Sequence, residues 1–270
     1  MKIAFWSPLH GTGTTAGLAA AVLAASKETD KRILMTQTHF NLNDLERPLI
    51  SGLEGSNRDD FFMNMGIDAV IKYYKAGDLT RDILESCVFN ISDRVSLLSG
   101  TRQTSRSAYD NGIVNKIIAH VYEVAEQYYD LLVIDTNAGY SASSLMTLES
   151  SDIIVVNLRQ NRHMLDELFS NKVFMSFDPD RIFYIFGSYD PDSKYNLHNI
   201  RRLYKPVNSS NSEGIPHCTA YMDALSEKRT IRFIDFCLSE KDTVNGDFAS
   251  SLKDLSKKLR VMVGKAGRTA

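Results

Sequence analysis

His10, Gly11, Thr12, Gly13, Thr14 and Thr15 stand together in the stretch SPLHGTGTTAG (7–17), between an apolar run, KIAFW (2–6), and an alanine-rich run, LAAAVLAAS (18–26). A strand, a glycine-containing loop and a helix, in that order, let backbone N–H groups at a helix N-terminus surround a phosphate. Glycine also serves ordinary strand-to-helix turns, so the loop alone is a weak signal. A second constellation strengthens it. YYDLLVIDTNAG (128–139) is an apolar run that ends in Asp135, with Gly139 four residues later. The competing reading of Asp135 is a polar residue that merely closes a strand. The lysine that a phosphate loop normally sends to its ligand is missing, because no Lys or Arg occurs between Lys2 and Lys27.

The elements that must position these residues are legible as short apolar runs bounded by turn residues. They are 2–6, RILMT (32–36), RVSLL (94–98), DLLVID (130–135), DIIVVNL (152–158) and RIFYIF (181–186). Amphipathic stretches alternate with them: DAVIKYYKAG (68–77), IVNKIIAHVYEVAEQYY (113–129) and HMLDELFSNKVF (163–174). In the second of these, Ile113, Ile117, Val121, Val124 and Tyr128 recur at helical spacing. Strands apolar on both faces and separated by helices predict a doubly wound α/β fold with a mostly parallel sheet between two helical layers. The charged segment 50–66 reads as a loop, and VNSSNSEG (207–214) as a surface loop. The expected division is residues 1–246 as the main domain and 247–270 as a basic amphipathic helix and tail.

Composition narrows the function classes. The chain has 270 residues, 43% of them hydrophobic, and a formal net charge of −2, which opposes bulk attraction to nucleic acid. Cys87, Cys218 and Cys237 lie far apart without a CxxC pair, and the histidines lack paired spacing. That pattern fits buried thiols in a reducing compartment better than a disulfide scaffold or a zinc site. No run has the length of a signal sequence or a membrane span.

Over nearly its whole length the sequence resembles the MinD/ParA family of deviant Walker A P-loop ATPases. LHGTGTTA (9–16) stands where that family has KGGxGKTT, and Asp135 to Gly139 matches its DTxAG. VSLLSG (95–100) falls where the family has another strand end, and IPHCTAYMDALSEKRTIRFI (215–234) resembles its late segment near the nucleotide base. The resemblance implies ATP or ADP with Mg²⁺ as ligand, Thr15 and Asp135 at the metal, and an approach of the Gly139 N–H to the terminal phosphate. It also implies a homodimer.

The departures are equally specific. Leu9 takes the place of the family's signature lysine and Thr14 that of the loop lysine, while Thr36 and Thr38 stand where a D-x-D pair is usual. A charge-assisted contact to phosphate contributes on the order of 1.5–3 kcal/mol, and one lost electrostatic donor costs about 10²–10³ in rate. The expectation is therefore weak or absent hydrolysis, with binding resting on the backbone, the helix dipole and the Thr15 hydroxyl. Arg102 and Arg106, in SGTRQTSRSAYDNG (99–112), are candidate replacement cations, and His10 is a further donor. Phe248, Leu252, Leu255, Leu259 and Met262 form a stripe opposite Lys253, Lys257, Lys258 and Arg260, which fits a final helix packed on the sheet or a contact with anionic membrane.

The leading expectation is a cytoplasmic positioning or scaffolding protein that meets protein partners of a polar pilus or secretion complex, similar to TadZ/CpaE members with altered loops. Location at the inner membrane face through residues 248–263 is a variant of it. The alternative is a Mg²⁺-dependent ATPase of partition or septum placement that works with a non-standard loop. Specific nucleic-acid binding is not expected, since the basic cluster NIRRLYKP (199–206) is short.

Overall fold

The computed structural model describes residues 1–39, 45–50, 65–77, 79–102, 112–239 and 244–267. Its eight strands are β1 (Lys2–Trp6), β2 (Ile33–Gln37), β3 (Phe89–Asn90), β4 (Val95–Leu98), β5 (Leu131–Asp135), β6 (Ile153–Leu158), β7 (Ile182–Tyr189) and β8 (Ser212–Pro216). They form one sheet in the order β3-β4-β2-β5-β1-β6-β7-β8, parallel except for the β3–β4 pair. The helices are α1 (Thr14–Ser26), α2 (Gly66–Ala76), α3 (Arg81–Ser86), α4 (Gly112–Tyr128), α5 (Ala142–Ser150), α6 (Arg162–Ser170), α7 (Leu197–Leu203), α8 (Thr219–Ser226), α9 (Thr230–Leu238) and α10 (Gly246–Ala266).

Alternation along β1 shows why both faces are covered. Ile3 and Phe5 enter a core shared with α1, α8, α9 and α10, whereas Ala4 and Trp6 enter one shared with α5, α6 and α7. On that second face, Leu34, Leu98, Leu132 and Ile134 pack against α2, α3 and α4. The three-layer doubly wound architecture predicted from the apolar runs is the one present. The long segment 50–66 lies mostly outside the described residues, apart from Ile50, Met65 and Gly66.

One sequence expectation is corrected. Residues 207–214 do not form a surface loop throughout, because Ser212, Glu213 and Gly214 belong to β8, which pairs with β7. The strand SEGIP has no apolar alternation, so it carries no periodic signal. Its partners hold it instead: Lys258 Nζ meets Glu213 at 2.7 Å and the Ser212 carbonyl at 3.0 Å. The two-residue β3, an antiparallel edge, is likewise too short to be legible.

Helix α10 packs its stripe inward. Phe248, Leu252, Leu255 and Leu259 are buried beside α1, and Met262 packs against the same core. Two of its basic residues are engaged with acids of the domain, Lys258 with Glu213 and Arg260 with Glu28. Among the described residues no helix is long and apolar enough to cross a membrane. Leu252→Ala removes a fully buried side chain and is expected to lower unfolding stability by about 2–5 kcal/mol, read by urea denaturation. A loss below about 0.5 kcal/mol, the range of surface substitutions, would show that α10 is peripheral to the core.

Candidate functional site

Parallel pairing brings the two constellations together. In the β1–β5 register Phe5 lies opposite Asp135, so the carboxyl ends of both strands, Trp6–Ser7 and Asp135–Thr136, sit side by side. Ligands of open α/β sheets collect at this edge. Backbone bonds fix the two loops to each other: Thr136 N–H donates to the Phe5 carbonyl at 2.8 Å and Gly139 N–H to the Ser7 carbonyl at 3.0 Å. The Trp6 indole N–H donates to the Gly139 carbonyl at 2.8 Å. Gly139 is thereby committed to the loop junction, where its φ of 81° suits glycine. Its N–H, which the resemblance expects near a terminal phosphate, is engaged here by the Ser7 carbonyl.

The loop itself turns on Gly11 and Gly13, with φ of 78° and 87°. Gly13 is the N-cap of α1, and no side chain caps the helix. The first turn of α1 therefore presents N–H groups without a capping side chain or an acid, which is the arrangement that attracts an anion. Thr12 is buried and its hydroxyl pairs with that of Thr14 at 3.1 Å. Thr14 thus stabilises the loop rather than extending a charge from it. Arg159 braces the loop from behind, donating to the carbonyls of Gly11 at 3.4 Å and Gly187 at 3.5 Å.

Thr15 and Asp135 meet directly. The Thr15 hydroxyl donates to Asp135 Oδ2 at 2.6 Å, and Asp135 is fully buried. His39 Nδ1 lies 3.7 Å from the same oxygen. Together they place a hydroxyl and a carboxylate at the base of the loop, the hard oxygen donors that Mg²⁺ takes alongside water and phosphate oxygens. The donor set fits a magnesium nucleotide held mainly by backbone amides.

A cleft of about 780 Å³ opens above this pair. It is lined by Leu9, His10, Gly11, Gly13, Thr14 and Thr15 of the loop and the start of α1, and by Thr136, Asn137 and Ala138 after β5. His39, Arg47 and Pro48, from the connection after β2, and Met222, Leu225, Ser226 and Lys228, from α8 and its end, also line it. Leu9 is half exposed there, at 47%. Of the positions where the family has acids, Thr36 is buried, with no hydrogen-bond partner for its hydroxyl, and Thr38 accepts the Asn137 N–H at 2.9 Å.

Of the two expected replacement cations, the one that the structure describes does not line the cleft. Arg102 is absent from the lining, and its backbone N–H donates to Asp68 Oδ2 at 2.8 Å. Arg106 lies outside the described residues. His39, Arg47 and Lys228 were not singled out by sequence, since each sits in a stretch without a motif. The one available signal was Lys228's place in the late segment 215–234.

No protein-family model matches the chain, and no curated protein matches its sequence. Solved structures do. A ParA family ATPase from Chlorobium tepidum superposes with a TM-score of 0.74 at 16% identity, over 95% of this chain and 98% of the other. The septum site-determining protein MinD from Pyrococcus horikoshii, complexed with Mg-ADP, gives 0.69 at 16% identity, over 98% of both chains. A plasmid partition protein from Borrelia burgdorferi bound to AMPPNP gives 0.65 at 15% identity, over 96% of this chain and 98% of that one. At these identities the likeness is one of architecture: the chain has the P-loop α/β fold of the MinD and ParA ATPases.

Proposed function

We propose that the chain is a nucleotide-binding positioning protein of MinD/ParA type, which takes magnesium with ATP or ADP and hydrolyses it weakly or not at all. The observation that carries this reading is the 2.6 Å contact between Thr15 and the buried Asp135 beneath a loop that has Leu9 and Thr14 in place of its lysines. Backbone N–H groups at the start of α1 would hold the phosphates, Thr15 and Asp135 would hold the metal, and the cleft above would accept the nucleoside. Bound magnesium supplies charge to the phosphate oxygens. Phosphoryl transfer depends almost wholly on positioning and charge around the terminal phosphate. With neutral residues at both lysine positions, the ground state is retained better than the transition state.

In this reading the nucleotide sets a conformation that protein partners recognise. The altered loop resembles that of TadZ/CpaE-like proteins, and this resemblance is the support for a role in localising pilus or secretion machinery. A second reading, an active ATPase of partition or septum placement, takes support from the cationic side chains of Arg47 and Lys228 in the cleft wall.

Calorimetric titration of the native chain with ATP and ADP is expected to show magnesium-dependent binding that Asp135→Ala weakens by at least about tenfold. Absence of binding in the native chain would overturn the reading. Turnover abolished by Asp135→Ala would favour the second reading over the first. Thr14→Lys restores a charge to the loop and is expected to tighten ATP binding by about tenfold or more, from the 1.5–3 kcal/mol of a charge-assisted contact. Unchanged affinity in that variant would mean that the loop does not face the phosphates.

A further inference from the structure

The missing lysines leave the question of what balances the charge of a polyphosphate. We propose that Arg47 and Lys228, which both line the cleft, supply that charge in place of the loop lysines. The inference rests on the nucleotide-binding reading above. Among the described residues that line the cleft, these are the Lys and Arg side chains.

Lys228 occupies a position that ordinary helix chemistry gives to glycine. Helix α8 ends with Glu227 N–H on the Asp223 carbonyl at 2.9 Å and Arg229 N–H on the Ala224 carbonyl at 2.8 Å. The residue between them, Lys228, has a φ of 57°, in the left-handed region. Such helix ends favour glycine because a Cβ is strained there. A lysine in this conformation among the residues that line the cleft is local strain located at a site. The wall that carries it is fixed to the loop's own helix. The Tyr221 hydroxyl donates to the Ala16 carbonyl at 2.6 Å, and burial raises the tyrosine's pKa, which keeps it a donor.

Arg47 is positioned by its neighbour. The buried Glu46 carboxylate accepts the Gly100 N–H at 2.6 Å and the Gln37 amide at 3.4 Å, from the ends of β4 and β2. Leu45 N–H donates to the same Gln37 side chain at 3.3 Å. With residues 45 and 46 anchored inward, Arg47 is exposed and lines the cleft beside Pro48. A guanidinium there offers paired donors to a phosphate, and Lys228 a point charge.

Calorimetry in magnesium with ATP, inorganic triphosphate and adenosine tests the assignment on the native chain, Lys228→Gly, Lys228→Arg, Arg47→Gln and the Lys228→Gly, Arg47→Gln double variant. Each neutralising substitution is expected to weaken ATP and triphosphate about tenfold. The double variant is expected to lose about a hundredfold, with adenosine unchanged. Lys228→Arg retains ATP affinity within about twofold. Lys228→Gly relieves the left-handed backbone, so its Tm is expected at or above the native value, which separates lost binding from lost folding. Native affinity in the double variant would overturn this inference and leave the nucleotide reading standing. Equal losses for adenosine and ATP would overturn the phosphate assignment. Failure of the native chain to bind either ATP or triphosphate would overturn both.

Discussion

A carboxylate with no exposure to solvent must be satisfied by neighbours, and the whole site is arranged around one. Asp135 ends β5 fully buried and accepts the Thr15 hydroxyl from the first turn of α1. Burial of an unsatisfied charge costs several kcal/mol or more, so this contact constrains much else. It sets the distance between the β5 end and the α1 start, and with it the path of the loop from Ser7 to Gly13. The β1–β5 register and the Gly139-to-Ser7 bond then follow as the backbone's part of the same junction. A metal ion bound there would exchange one form of compensation for another without moving the frame.

The junction also explains how the loop holds its form without a charged residue. Gly11 and Gly13 supply the left-handed turns, Thr12 and Thr14 pair through their hydroxyls, and Arg159 secures the Gly11 carbonyl from outside. None of these contacts needs a lysine. Loop geometry and phosphate charge are therefore separable properties in this fold. Here the loop has the geometry without the charge, and the cationic side chains that line the cleft belong to other connections.

Six of the eight strands were legible because buried parallel strands write continuous apolar runs into a sequence. β3 and β8 were not, since a two-residue edge and the stretch SEGIP have no periodicity to read. The loop and Asp135 were legible for a related reason: glycines at a strand-to-helix turn and an acid at a strand end are local patterns. The cleft walls are different. His39 and Arg47 come from the connection after β2 and Lys228 from the one after α8, and only the tertiary arrangement of β2, the anchored Glu46 and the α8 end brings them to one space. Arg102 shows the converse failure. Placement after β4 put it near the right sheet edge, but the Asp68 carboxylate of α2 accepts the Thr101 hydroxyl and the Arg102 N–H, and Arg102 does not line the cleft.

The margins of the sheet have a consequence of their own. An open sheet exposes unpaired backbone groups at each end, and such edges recruit further strands. Here one end finishes in the two-residue antiparallel β3. At the other, Lys258 and Arg201 both donate to the Ser212 carbonyl of β8, at 3.0 and 3.4 Å. Among the described residues, strand addition by a second copy therefore meets a two-residue strand at one margin and, at the other, a carbonyl already held by two cationic side chains.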